Sequence, residues 1–179
     1  MIRRCFTLVE LMIALAIVAL AAPVVGISLY KAVQTQRFEA SVSLVASRIE
    51  LAERALLHTD ADIYCVITRA EGGFRCQVKA RKALPKALEL VAGKEIFLKG
   101  VEQVAWNGIP MESLELGFLS SGDVMPRGLL TLTHKGENRH IGLQGYPHPI
   151  IVSTQIPLIQ EETAHAPYPR QVTQTLPSS

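Results

Sequence analysis

One carboxylate stands where lipid would penalise it. Glu10 directly precedes a run, Leu11 to Leu29, that contains no charged side chain and is interrupted only by Pro23, Gly26 and Ser28. An ionised acid at the start of an apolar helix is costly unless something compensates it, which makes Glu10 a functional-site candidate. One helical turn places it on the same side as Phe6. Either a cation meets the carboxylate there, or it lies in the headgroup zone and reaches for water. The other chemistry-bearing residues form no recognisable constellation. His58, His134, His140, His148 and His165 have no tight ligand spacing with the cysteines, which argues against zinc. Asp60, Asp62 and Asp123 offer oxygen ligands, but no loop alternates acids around a glycine as a calcium loop does, so they read as solvated loop acids. There is no nucleophile elbow, phosphate loop or H-E-x-x-H motif, and Ser120-Ser121-Gly122 reads as a turn. Neither an enzyme nor a cofactor is expected.

The elements that position Glu10 follow from the chain's patterning. With 179 residues, 49% of them apolar, the chain has room for one ordinary domain and an appendage. Charged residues make up 19% and the formal net charge is +2, so no broad basic surface exists for nucleic acid. At about 1.5 Å per residue the uncharged run covers roughly 28 Å, close to the hydrocarbon thickness of a bilayer, and predicts a membrane-crossing helix with lipid as its surroundings. Ala19, Ala21 and Ala22 leave a cleaved secretory signal as the alternative, but the helical pattern continues past them. Arg3 and Arg4 favour a cytoplasmic N-terminus. Lys31 and Arg37 oppose that by charge count, and the short N-terminal flank against the long remainder decides for export of the C-terminal part.

Beyond the run, Phe38, Val42, Val45, Ile49, Ala52 and Leu56 recur at alternating spacings of four and three, one apolar stripe of a helix facing a core. Arg37, Glu39, Arg48, Glu50, Glu53 and Arg54 are assigned to the solvated face. A single helix is predicted from about Thr7 to Leu57, roughly 75 Å long if unbroken, with loosening at Pro23, which cannot donate to Ala19. Short β-type runs follow at Ile63 to Arg69, Phe74 to Val78, Glu95 to Leu98, Leu114 to Phe118, Leu129 to Thr133 and Ile141 to Gln144. Glu71-Gly72-Gly73 and Lys135-Gly136-Glu137-Asn138 are their hairpin connections, and Ala83 to Val91 suggests a short second helix. After Val152 the chain becomes polar and proline-rich, reading as a poorly ordered tail. The fold class is α+β: a long N-terminal helix, its first half membrane-spanning, packed on a small antiparallel sheet domain.

The opening combines a basic leader, the small residue Cys5, then Phe6-Thr7-Leu8-Val9-Glu10 and the apolar helix. It resembles the class III signal of type IV prepilins and of type II secretion pseudopilins. The resemblance implies that a prepilin peptidase cuts between Cys5 and Phe6 and methylates the new amine of Phe6. It also implies that Glu10 pairs with such an amine, its own or that of a neighbouring subunit. Cys5 stands where the family usually has glycine, and the family's helix-bending proline falls about one turn beyond Pro23. Removing a leader with Arg3 and Arg4 brings the formal charge to zero. It also leaves the even pair Cys65 and Cys76 on two predicted strands, either bridged outside the cytoplasm or two buried thiols.

On this pilin-like reading, residues 1–5 are a leader, 6–30 the transmembrane half of the helix and 31–57 its amphipathic half. Residues 58–152 form an extracytoplasmic β-rich domain and 153–179 a disordered tail. The stretch Leu114 to Leu143 further resembles the C-terminal sheet of minor pseudopilins of the H type. The implied function is a filament subunit of a type II secretion system, single-pass in the bacterial inner membrane with its domain periplasmic. Its implied partners are the prepilin peptidase, other pilin-like subunits and the inner-membrane assembly platform. The alternatives are a type IV pilus or competence minor pilin and, in a different class, a membrane-tethered domain that binds a ligand.

Overall fold

The computed structural model describes residues 8–59, 61–120, 125–145 and 147–157, without the side chains at 14, 20–25, 27 and 87. Its first element is the helix α1, Leu8–His58, which passes Pro23 without ending. Glu10 lies in the first described turn of this helix and His58 in its last. Thr59 closes the helix by donating its hydroxyl to the carbonyl of Ala55 at 2.6 Å. The chain divides into two compact units, Met1–Arg37 and Phe38–Ser179.

In the first unit the large apolar side chains Leu8, Val9, Leu11, Met12, Ile13, Leu15, Ile17 and Val18 are all exposed. The membrane-spanning first half expected from the sequence is not carried by the structure. No helix among the described residues is long and apolar enough to cross a membrane. The described side chains of the uncharged run fall into the short stretches 11–13, 15–19, 26 and 28–29.

The second unit contains two antiparallel sheets, where the sequence suggested one. After α1 come β1 (Ile63–Ala70), β2 (Gly73–Ala80), α2 (Lys86–Ala92), β3 (Ile96–Leu98), β4 (Gln103–Trp106) and β5 (Ile109–Pro110). The remaining strands are β6 (Ser113–Phe118), β7 (Gly128–His134), β8 (Glu137–Leu143) and β9 (Ile151–Ser153). One sheet has the order β3-β2-β1-β6 and the other β5-β4-β7-β8-β9. Strands β4, β5 and β9 are additions to the sequence reading. Both long hairpins turn in two residues, Glu71-Gly72 between the partners Ala70 and Gly73, and Lys135-Gly136 between His134 and Glu137. Lys135 and Gly136 both have positive φ, at 47° and 80°, as the favoured two-residue hairpin turn requires.

The stripe of α1 lies where its spacing placed it. Phe38, Val42, Val45, Ile49, Ala52 and Leu56 are all buried and join inward residues of both sheets in one core. Burial of each large member contributes roughly 1.5–3 kcal/mol. On β6 the expected alternation holds: Leu114, Leu116 and Phe118 are buried between less buried neighbours. Arg48 departs from its assignment to the solvated face. It is buried, and its guanidinium donates to the carbonyl of Val91 at the end of α2. Its long stem can follow the apolar surface while the head finds an acceptor.

Several polar contacts fix the start of this unit. Arg139 of β8 donates from Nε to Oε1 of Glu39 at 2.7 Å, and its guanidinium carbon lies 5.9 Å from the centre of the Phe38 ring. The ring of His134 packs against Phe38 with centroids 5.4 Å apart. Gly100, with φ at +80°, lies beside Phe38, and an added Cβ would meet that residue at 3.6 Å, an ordinary contact.

Candidate functional site

The residues singled out by the sequence fall at two places in the chain. At the N-terminal end, Glu10 occupies the first turn of α1 and is exposed, surrounded in sequence by exposed apolar residues. These occupy consecutive positions, so they leave no polar face to mark a side turned toward water. Such a surface suits lipid or the flanks of similar helices. Cys5 and Phe6 lie outside the described residues, and so does any pairing between Glu10 and an amine at Phe6.

Residues 4–22 match the prokaryotic N-terminal methylation motif. The match contains Cys5, Phe6 and Glu10 and supports a prepilin-like reading of this segment, whose family is structural in its usual role. No curated protein and no solved structure matches the chain.

The second place is the β1–β2 hairpin. Cys65 and Cys76 are both buried free thiols in the core. The register sets Cys65 opposite Val78 and Cys76 opposite Ile67, so the two are diagonal neighbours on the inward face. Their sulfurs are 3.7 Å apart. The contact with Cys76 and then the loss of water push the Cys65 thiol well up. Cys76 is lowered, first by its contact with Cys65 and then by the Arg48 guanidinium. Arg48 was missed as a participant, although its position was readable: Ser41, Arg48 and Ala55 recur every seventh residue beside the stripe, and all three are buried.

Asp62, weighed as an oxygen ligand, has a structural use. Its Oδ1 accepts from the backbone N–H and the hydroxyl of Ser120, both at 3.0 Å, joining the start of β1 to the residue pair after β6. These bonds hold its carboxyl below the usual range, backbone N–H first and hydroxyl second, with Arg81 and Lys82 assisting. A lowered folded pKa means stability that is present above the unfolded carboxylate range and is lost as pH falls through the folded value. Asp62→Asn is therefore expected to flatten the decline in melting temperature below about pH 4. Thermal melts across the acid range check this, and an unchanged acid limb contradicts it. Asp60 and Asp123 lie outside the described residues. Among the described residues no group of three or more His, Cys, Asp or Glu is placed to hold a metal ion.

Two open clefts, about 320 and 440 Å³, share Arg69, Phe74 and Glu102 as walls. Arg69 is paired there with Glu112 at 2.9 Å and stands 5.8 Å from the centre of the Phe74 ring. Behind Glu102, the Nδ1 of His134 is buried without a hydrogen-bond partner, 3.5 Å from the carboxylate. His140 is satisfied by the hydroxyl of Thr131 at 3.0 Å.

Proposed function

We propose that this chain is a structural subunit of a pilus-like filament. In this reading a prepilin peptidase cuts between Cys5 and Phe6 and methylates the Phe6 amine. The apolar N-terminal segment anchors the subunit in the membrane, and the two-sheet unit is displayed outside the cytoplasm. The observation that carries the reading is the methylation-motif match over residues 4–22. It is supported by a helix that presents apolar side chains outward at its start and turns an apolar stripe into a core after Phe38. Assembly, and not catalysis, is the work such a molecule does. More finely, we read it as a minor pseudopilin of a type II secretion system, inserted with its N-terminus cytoplasmic. A type IV pilus or competence system is the other assembly of this class.

Co-expression with a prepilin peptidase, followed by intact mass and N-terminal sequencing, tests the proposal. The expected product begins at Phe6 and carries one added methyl group. A terminus still at Met1 would sink it. A second reading, a membrane-tethered domain that binds a ligand as a monomer, draws on the clefts around Arg69, Phe74 and Glu102. It predicts a ligand-dependent rise in melting temperature for the unassembled protein.

A further inference from the structure

We propose that Cys65 and Cys76 form an intramolecular disulfide as the domain folds, stapling β1 to β2 beneath α1. The proposal rests on the extracytoplasmic reading above for its compartment and on the structure for its geometry. Both side chains project from adjacent strands into the same core, with their sulfurs already in contact at 3.7 Å. The two cysteines are eleven residues apart and are joined by a hairpin whose turn takes two residues, so they meet as soon as that local element forms.

The bridge closes by two thiol–disulfide exchanges, which either cysteine can begin, and the course is the same from Cys76. Its thiolate attacks one sulfur of an organic disulfide, either a thiol oxidoreductase or glutathione disulfide, and expels the other sulfur as a thiolate. Cys65 then loses its proton to solvent, and its sulfur attacks Cys76 in the mixed disulfide and expels the second thiolate. The chain loses two protons and two electrons, and the co-reactant becomes two thiols. Both cysteines are fully buried in the folded domain. The exchange must therefore precede closure of the α1 stripe over the hairpin, and a chain that folds reduced resists later oxidation.

Cys5 makes the test self-checking, because it is lost with the leader. The exported full chain is acid-quenched, unfolded and alkylated before and after reduction. A processed and bridged chain takes up no alkyl group before reduction and two after it. Uptake of one, then three, contradicts leader removal, and it upholds the bridge only when the residue alkylated before reduction is Cys5. Two throughout, or three throughout, overturns the bridge in the cell. Independently, the purified full chain is refolded in a glutathione redox buffer and digested with trypsin, which cuts at Arg69 and Arg75 between the two cysteines. Peptides holding Cys65 and Cys76 are expected to be linked until reduction. Free thiols at both, or linkage only between different molecules, overturns the proposal.

Discussion

Phe38→Ala lowers the unfolding free energy of the globular unit by about 3–5 kcal/mol, the range for truncating a buried aromatic side chain. Phe38 is fully buried and opens the stripe by which α1 joins the core. Its ring also supports the His134 imidazole and the Arg139 guanidinium, and Gly100 passes against its backbone. The surroundings can relax into the space only in part, because Arg139 is also tied to Glu39 and the Gly100 backbone is held in a positive-φ conformation. Denaturant titration followed by the fluorescence of Trp106, the single tryptophan, reads the change. Phe38→Leu keeps most of the apolar volume and should lose much less. A loss below about 1 kcal/mol for the alanine variant would show that the core is not closed at this end of the stripe.

The second large effect concerns assembly. Glu10→Ala is expected to leave the subunit cleaved, methylated and anchored while its recovery in sheared filaments falls to background. The argument is electrostatic: a positively charged amine at Phe6 needs a counter-charge in a low-dielectric bundle, and attraction between unit charges strengthens as water is excluded. Glu10 is exposed in the single chain, so a neighbouring subunit can reach its carboxylate. Glu10→Gln keeps the shape and removes the charge, so it should fail as the alanine variant does. Glu10→Asp, with a shorter reach, should recover part of the incorporation. Normal filament incorporation of the alanine and glutamine variants would sink the pairing and return Glu10 to the headgroup zone.

The parts of this molecule that were readable beforehand are those with a period. The alternation of fours and threes from Phe38 to Leu56 identified the buried face of α1, and the alternation of Leu114, Leu116 and Phe118 identified that of β6. The division into two sheets was not readable, because β4, β5 and β9 are short. β5 is two residues long and contains Pro110. One signal was available: Asn107-Gly108 has positive φ at both residues, 49° and 82°, in the dipeptide that most favours a two-residue hairpin. Arg48 was assigned to solvent because charge outweighed position, although it shares a heptad arc with Ser41 and Ala55. What the sequence does not show is its acceptor, a backbone carbonyl at the end of α2 that only the tertiary fold brings to it. The approach of the two cysteines depended on hairpin register, fixed here by the Glu71-Gly72 turn. At the N-terminal end the motif was legible because its spacing carries the meaning, and Cys5 and Phe6 stay outside the described residues.

The short helix α2 is gripped at its C-terminal end through main-chain atoms. Arg48 donates to the carbonyl of Val91, and Gln77 donates to that of Gly93 at 2.9 Å. Neither bond reads a side chain of α2, and the outward Leu90 and Val91 are exposed. The helix is thus a mounted platform whose outer residues can be exchanged without loosening the mount. Substitution at Leu90 or Val91 therefore alters the surface of this unit and leaves both of the bonds that hold α2 in place.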